Sequence, residues 1–525
     1  MLPFQNLRLS VSFLSSIMAP RQLDRSTAHH QAQQDPTSAG AIARPSLSPR
    51  DGDLDMLLRH LNQRGIHAQK THGRCPPEAA MHDRAAEIPS LVVSPLSEWG
   101  VCETLKLFNN LKLHGRVPIS VKSGGHGYHN GAACAGVMLN LGRMTEKRVM
   151  DDMLFVGPGC LLGPLALTLA RHRKAVPHGD CFGVGAGGHF TTAGWDLLLA
   201  RRYRLGCQSV VGGRLVLWDG SVVEVNDCSH PDLLYAMCGG AAAEAGVVTE
   251  IKLRLIDEPA RATWRFAHIS EEQLRLCVAN NAFARAATLP NDVSVSFRFF
   301  FETDHSEPVC SFNIVSLLSA SDTILVLSQY LGSEVASMVH DLSDWNDKTL
   351  LDLRLVPASE FVAKNPGALE EMCPVQLQDR PLTYWKESTS QREMARSYFT
   401  SISQWVVSDC DALLLGLYDA LKSAQTLPGR ERMYALVIHG GGRMLELQEA
   451  CAMPLGSTLA RFELHWDTPE EAQWCRAFTE GISKVLEPKA DPEHQRPYRG
   501  DIWLNEQGVD AKLGKILNQY DKRLL

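Results

Sequence analysis

Three stretches of the 525-residue chain place chemically capable side chains at a meaningful spacing. The first is Val121-Lys122-Ser123-Gly124-Gly125-His126-Gly127-Tyr128, which follows the apolar run Val117-Pro118-Ile119-Ser120. It reads as a strand end breaking into a tight loop. Adjacent glycines let the backbone enter φ > 0 and approach a ligand with no Cβ in the way. Their N–H groups can then line a concave anion site suited to a pyrophosphate, with His126 at the ligand's edge. The second stretch is His178-Gly179-Asp180-Cys181-Phe182-Gly183-Val184-Gly185-Ala186-Gly187-Gly188-His189, again glycine-rich, with a cysteine eight residues before its last histidine. The third is Arg461-Phe462-Glu463-Leu464-His465-Trp466. If it is a strand, Glu463 and His465 share one face and Phe462, Leu464 and Trp466 the other, because side chains alternate. Two ionisable groups on one face make a candidate acid/base pair. His439, ahead of Gly440-Gly441-Gly442, and Tyr498 are further candidates for the base.

Ordinary elements must position these stretches. Leu54, Leu57, Leu58 and Leu61 recur at i, i+3, i+4 and i+7, which predicts an amphipathic helix from Asp51 to near Gly65. Ile88–Pro95 reads as a strand and Ser97–His114 as a helix. The spacing then predicts strands at Gly136–Leu141 and Met153–Gly157, and a helix at Leu162–Arg173 leading into the second glycine loop. Gly212–Leu217 and Ser221–Val225 flank Asp219-Gly220 as a hairpin. Beyond about Ile256 the texture changes. Ser294–Phe301, Phe312–Leu318, Thr323–Gln329, Tyr434–Ile438 and Leu459–Trp466 read as strands, with helices such as Ser390–Val407 between them. Such a pattern suggests an antiparallel sheet with helices on one face. The glycines are not spaced G-x-G-x-x-G opening a helix, so the first half is not a Rossmann fold.

Composition bounds the rest. A chain of 525 residues is too long for one ordinary core, and 45% hydrophobic residues are enough for a sizeable one. With 52 basic against 59 acidic residues the net charge is −7, which argues against nucleic acid or an anionic membrane surface as partner. No run approaches the 18 or so apolar residues of a membrane span. The 14 cysteines are scattered without CxxC pairs, so no metal site is expected, and they look like reduced core thiols rather than a disulfide framework. Leu9–Ala19 after Arg8 has the look of a poor signal peptide. No Asn-x-Ser/Thr sequon occurs, which leans towards an intracellular protein, with secretion the alternative. Residues 21–50 mix Gln, His, Ser and Pro and are expected to be disordered.

The two glycine loops together resemble the berberine-bridge-enzyme-like branch of the vanillyl-alcohol-oxidase flavoproteins, over about Ile88–Asp501. The resemblance implies an α+β fold, a PCMH-type two-part FAD-binding domain plus an antiparallel-sheet substrate domain with helices on one face. Its implied boundaries are a tail at 1–50, the FAD-binding domain at 51–256, the substrate domain at 257–480, and a return to the FAD domain at 481–525. It implies FAD joined covalently through His126, and through Cys181 as a second, thioether link. Ser123, Gly124, Gly125, Gly127, Tyr128, Val184, Gly185, Gly187, Gly188, Ala193, Gly246 and Val247 are the implied cofactor contacts. The implied activity is that of an oxidase removing hydride from a C–H bond of a small organic substrate, with dioxygen as acceptor. Val184, three positions after Cys181, is of the type that admits dioxygen, whereas leucine there obstructs it. A dehydrogenase with another acceptor, or a non-catalytic flavin binder, are the alternatives.

The family often places the base on the strand that Arg461–Trp466 resembles, so Glu463, His465, Tyr498 and His439 all stand as candidates. Two departures are visible. Arg496–Trp503 only partly matches the family's Tyr-x-Asn-Tyr pattern. Gly239-Gly240-Ala241-Ala242-Ala243-Glu244 replaces a longer glycine run, and since alanine disfavours φ > 0 the loop there is expected to differ.

Overall fold

The computed structural model describes residues 51–127, 130–302, 306–356, 398–406, 410–427, 429–446, 451–453, 456–466, 468–487 and 511–520. The tail 1–50, Tyr128, Tyr498 and the partly matching segment 496–503 lie outside them.

The chain enters through the helix Asp51–Gln63, whose Leu54, Leu57 and Leu61 are buried at the expected helical spacing. The first sheet has the order β1-β2-β4-β3, with β1 at His67–Lys70, β2 at Leu91–Ser94, β3 at Ile119–Lys122 and β4 at Val137–Asn140. Strands β2 and β3 both run parallel to β4, and β1 is antiparallel to β2. Every residue of β2 and β4 is buried. That is how strands covered on both faces read, as continuous apolar runs rather than alternations. The loop bearing His126 leaves from the end of β3, the edge strand of this sheet.

A second, antiparallel sheet has the order β5-β6-β10-β8-β9. Its strands are β5 (Lys147–Met150), β6 (Met153–Val156), β8 (Val210–Leu217), β9 (Val222–Val225) and β10 (Gly246–Arg254), while the short β7 (Lys174–Ala175) pairs with β11 (Ile256–Asp257). The β8–β9 hairpin turns at Asp219-Gly220, with Gly220 at φ 82°. The helix Ala511–Tyr520 packs Leu513 and Ile516 into this sheet's core.

The third sheet is antiparallel and seven-stranded, in the order β15-β12-β14-β13-β17-β18-β16. It comprises β12 (Ala262–Ile269), β13 (Val293–Phe300), β14 (Val309–Ser316), β15 (Asn346–Lys348), β16 (Tyr398–Val406), β17 (Met433–His439) and β18 (Thr458–Trp466). One face carries Phe297, Phe299, Phe312, Phe462 and Leu464. It is covered by the helices Glu271–Ala279, Ala320–Leu331, Cys410–Ser423 and Ala472–Leu486. Each buried Phe or Leu there contributes about 1.5–3 kcal/mol over an exposed one. The architecture is α+β, with helices on one face of the antiparallel sheet.

Two segments differ from their sequence pattern. Thr323–Gln329, expected as a strand, lies within the helix Ala320–Leu331. Ser319 caps it by accepting from the Asp322 N–H at 3.1 Å, and the buried Thr323, Leu327 and Leu331 form one helical face. Of the helix expected over Ser390–Val407, the described part, Tyr398–Val406, is a strand paired with β18 along its whole length. Sheet pairing with a distant partner outweighs local propensity there.

The turn at Ala241–Glu244 is the third surprise. Alanine was expected to avoid φ > 0, yet Ala241, Ala242, Ala243 and Glu244 have φ of 47°, 57°, 53° and 54°. Burial of Ala242 and Ala243, the Ala243 N–H to Gly240 O bond (2.8 Å) and the Trp218 indole donating to Glu244 O (2.7 Å) hold the turn. Left-handed backbone costs an L-residue about 1–2 kcal/mol, so glycine should be the better residue here despite its larger unfolded-state entropy. We expect Ala241→Gly, at the least packed of the three alanines, to raise the unfolding free energy by up to about 1 kcal/mol, read as a higher denaturant midpoint. A drop like that of an ordinary Ala→Gly change would contradict the strain.

Candidate active site

The two glycine loops meet. A Cβ on Gly124 would overlap the backbone of Gly185, and one on Gly185 would overlap Ser123 Oγ and the Gly124 amide. Ser123 Oγ donates to Pro158 O at 2.5 Å, and Gly187 N–H to the same carbonyl at 2.9 Å. The second loop is also tied to the start of the helix Leu162–Arg171. The N–H groups of Leu162 and Gly163, which have no acceptor within their own helix, bond to Val184 O (3.0 Å) and Phe182 O (3.1 Å). Gly125 takes φ 78°, and among the described residues the N–H groups of Gly124, Gly125, His126 and Gly127 have no acceptor. Gly188 has open space where a Cβ would stand. Cys181 is half-buried and unbridged, Val184 is half-buried, and His189 Nε2 accepts from Gly179 N–H at 3.1 Å.

The bare face of the seven-stranded sheet looks towards these loops. Strand alternation puts Arg461, Glu463 and His465 of β18 on that face. Register sets Tyr434 of β17 and Ser401 of β16 on either side of Glu463, and Phe399 beside His465. Glu463 is fully buried. The Tyr434 hydroxyl donates to its carboxylate, Arg461 makes an ion pair with it, and His465 Nε2 lies 3.5 Å from Oε2. Burial is the leading influence on the Glu463 carboxyl and raises it, and the hydrogen bond and charge of His465 oppose that rise. Arg298 of β13 lies over the Tyr434 ring at 4.8 Å.

A chain of rings joins the sheet to the first loop. His82 stacks on His126 with centroids 5.1 Å apart, and sits 5.2 Å from Phe399 and 6.1 Å from His465. Phe399 in turn stacks on His465 at 5.4 Å. His82 is buried, and its N–H donates to Gly125 O at 2.9 Å. Nothing in the local sequence marks His82 or Tyr434. They come into view only through the pairing of β17 with β18 and the docking of the two loops.

The family model described as "FAD binding domain" matches residues 89–226, which contain both glycine loops. Residues 89–226 are an FAD-binding domain. A chitooligosaccharide oxidase of Gibberella zeae is 35% identical over 156 residues, 29% of this chain and 31% of that protein. The chain thus spans about a third of the length of the curated relatives it matches. In structure, a berberine-bridge-enzyme-like protein of Physcomitrella patens superposes with TM-score 0.69 at 19% identity, over 89% of this chain and 96% of its own. The grass pollen allergen Phl p 4, a glucose dehydrogenase, does so with TM-score 0.69 at 17% identity, over 86% and 88%, and its isoleucine-to-valine variant is a glucose oxidase. The fold is that of the berberine-bridge-enzyme-like flavoproteins, as the glycine loops suggested.

The loops fit that cofactor. Two glycine backbones in contact, with unspent N–H groups and no Cβ between, form a cradle that an anionic dinucleotide can enter. His126 is held at about 4, by burial first and the Lys122 charge second, so its imidazole is neutral at pH 7 and keeps a lone pair. Lys122, itself fully buried with Nζ 3.3 Å from Glu78 O, is lowered to about 8 by burial. Val247 is buried in the core between the first two sheets, Gly246 packs on Val216 O, and Ala193 packs against Cys207 and Trp405.

His439 is on the helix-covered face of the third sheet, 6.0 Å from the Phe297 ring, not on the face of Glu463. It is buried, neither ring nitrogen makes a hydrogen bond of normal geometry to the described residues, and burial followed by the Arg201 charge lowers it to about 4. A histidine neutral in the fold but charged in the unfolded chain contributes stability above about pH 6.5. That contribution is lost as pH falls through the window down to about 4. We expect His439→Leu to remove up to about 1.4 kcal/mol per pH unit of this dependence. Urea melts of variant and wild type at pH 7.5 and pH 5 give the difference. A variant equally displaced at both pH values would show that His439 does not carry it.

Proposed function

We propose that this chain is an FAD-dependent oxidoreductase that removes hydride from a C–H bond of a small organic substrate and passes the electrons to dioxygen. The approach of the β18 face to His126 through the His82 and Phe399 rings carries the reading. The cofactor, once bound, supplies the hydride acceptor. His126 and Cys181 are the proposed covalent attachment points, and the N–H groups of Gly124–Gly127 favour an anionic group beside them. On the sheet, hydride loss from a carbon bearing OH or NH needs a base for the accompanying proton. Glu463 is fully buried beneath Tyr434, Arg461 and His465, so it reaches a substrate only through them. His465 is partly exposed, as Arg461 and Tyr434 are, and of the three it is the one that can act as a base near neutral pH, so it takes the proton. Glu463 holds the imidazole in orientation and favours the charge it gains. Val184 supports dioxygen as acceptor, and the oxidase relatives agree with that choice. The oligosaccharide oxidases among them make sugars the first substrate class to try.

The test begins with an anaerobic screen of sugars, alcohols and amines against the purified yellow protein, read by loss of oxidised-flavin absorbance and, in air, by oxygen uptake. With a substrate in hand, His465→Ala should slow anaerobic reduction by roughly tenfold or more. Glu463→Gln should slow it less and alter its pH profile, because it perturbs the base without removing it. Wild-type reduction rates in both would move the base off this strand.

Attachment is tested separately. Acid precipitation of the wild type should leave yellow chromophore with the protein. Either His126→Ala or Cys181→Ala should retain it through the other link, and the double variant should release it. A colourless wild-type pellet would remove the covalent assignment.

A further inference from the structure

Three thiols lie together outside the candidate active site, where the third sheet's domain meets the FAD-binding domain. Cys207 Sγ and Cys451 Sγ are 3.8 Å apart across 244 residues of sequence, and both are buried. Cys238 is the third, its Sγ directed at Val210 O at 3.5 Å. Segment 451–453 is seated on the FAD-binding domain. Ala452 N–H donates to Cys238 O at 2.8 Å, and Gly239 lies so close that a Cβ on it would stand 2.8 Å from Met453 and 3.2 Å from Cys451 Sγ. Trp405, Met444 and Leu459 of the other domain close the cluster around the pair.

We propose that Cys207 and Cys451 are a disulfide-forming pair that covalently joins the connection between β17 and β18 to the FAD-binding domain. The sulfurs are about 1.8 Å farther apart than a disulfide bond of about 2.05 Å, a shift within the reach of a side-chain rotation. Among the described cysteines with a shifted thiol, Cys451 alone is moved down, by the hydrogen bond it shares with Cys207, in which either sulfur can donate. Burial pushes Cys207 and Cys238 up.

The oxidant is hydrogen peroxide, the two-electron reduction product of dioxygen that the proposed oxidase reaction would release. One thiolate of the pair attacks one peroxide oxygen, the O–O bond breaks, and hydroxide leaves with the thiol's proton as water. The other sulfur of the pair then attacks the resulting sulfenic acid, forming S–S and releasing a second water. Two thiols are oxidised, and one peroxide is reduced.

Peroxide added to the full-length holoprotein tests the pair independently of whether the oxidase reading holds. After treatment, denaturation and alkylation, two fewer thiols should react, and a non-reducing digest should yield a peptide joining residues 207 and 451. Dithiothreitol should restore both thiols. A loop of 244 residues should also make the oxidised chain run faster on a non-reducing gel. Cys451→Ser should abolish the link, and Cys238→Ser should leave it. The wild-type digest decides alone if a variant fails to fold. Quantitative alkylation of both residues after peroxide, a link from Cys451 to Cys238, or oxidation that stops at sulfinic acid would each overturn the proposal.

Discussion

Gly124 and Gly185 touch backbone to backbone, and they can do so because neither has a Cβ. The rest of the site hangs on that contact. It joins a loop leaving β3 of the first sheet to a loop held by the helix Leu162–Arg171 beside the second. Ser123 and Gly187 reinforce it at the shared Pro158 carbonyl. Any side chain at either glycine would push the two sheets apart and spread the cradle. A glycine turn that would otherwise be loose is thereby fixed, with His126 on one side of the junction and Cys181 on the other.

The third sheet contributes through a simple partition. Most of its buried aromatic and aliphatic residues face four helices, while Glu463, Arg461, His465, Tyr434 and Phe399 lie on the opposite face. Placing a carboxylate on the bare face of a buried sheet is costly, and Glu463 is offset by three neighbours: a tyrosine hydroxyl, a guanidinium and an imidazole. The same three neighbours cover it, and all three are partly exposed while the carboxylate is not. Burial raises the Glu463 carboxyl, and the hydrogen bond and charge of His465 oppose that rise.

Contacts between the domains are polar as well as apolar. The buried Arg201 donates to the carbonyls of Gly440 and Leu289 on the far side of the junction. Arg354, from the helix Leu350–Leu355, pairs with Asp196 at 2.7 Å and donates to Val176 O at 3.1 Å. Asp196 also accepts the N–H groups of His178, Leu198 and Leu199, so one carboxylate fixes the start of the second glycine loop and the docking of that helix together. Removing one member of such a buried pair would leave the other charge uncompensated. The relative placement of sheet and loops therefore depends on a few fully desolvated charges.

The sequence alone determined what local chemistry determines. Two glycine loops at the ends of ordered elements, the alternation that puts Glu463 with His465, and the continuous apolar runs of β2 and β4 are all written in neighbouring residues. The FAD-binding assignment came from the resemblance of these two loops to a flavoprotein family, a resemblance that neighbouring residues carry. The tertiary structure decided matters set between distant residues. Thr323–Gln329 is a β-branched run that becomes helix once Ser319 caps it and its buried face docks. Tyr398–Val406 becomes a strand because β18 pairs with it. Ala241–Glu244 adopts a backbone its residues disfavour because the surrounding packing holds it there. His439 lies one residue beyond Ile438 on β17 and so falls on the face opposite Tyr434. His82 and Tyr434, unmarked in sequence, join the site only when strands far apart in the chain align. Propensity acts over a few residues, whereas register, docking and burial act across hundreds, and the candidate site lies where those long-range terms meet.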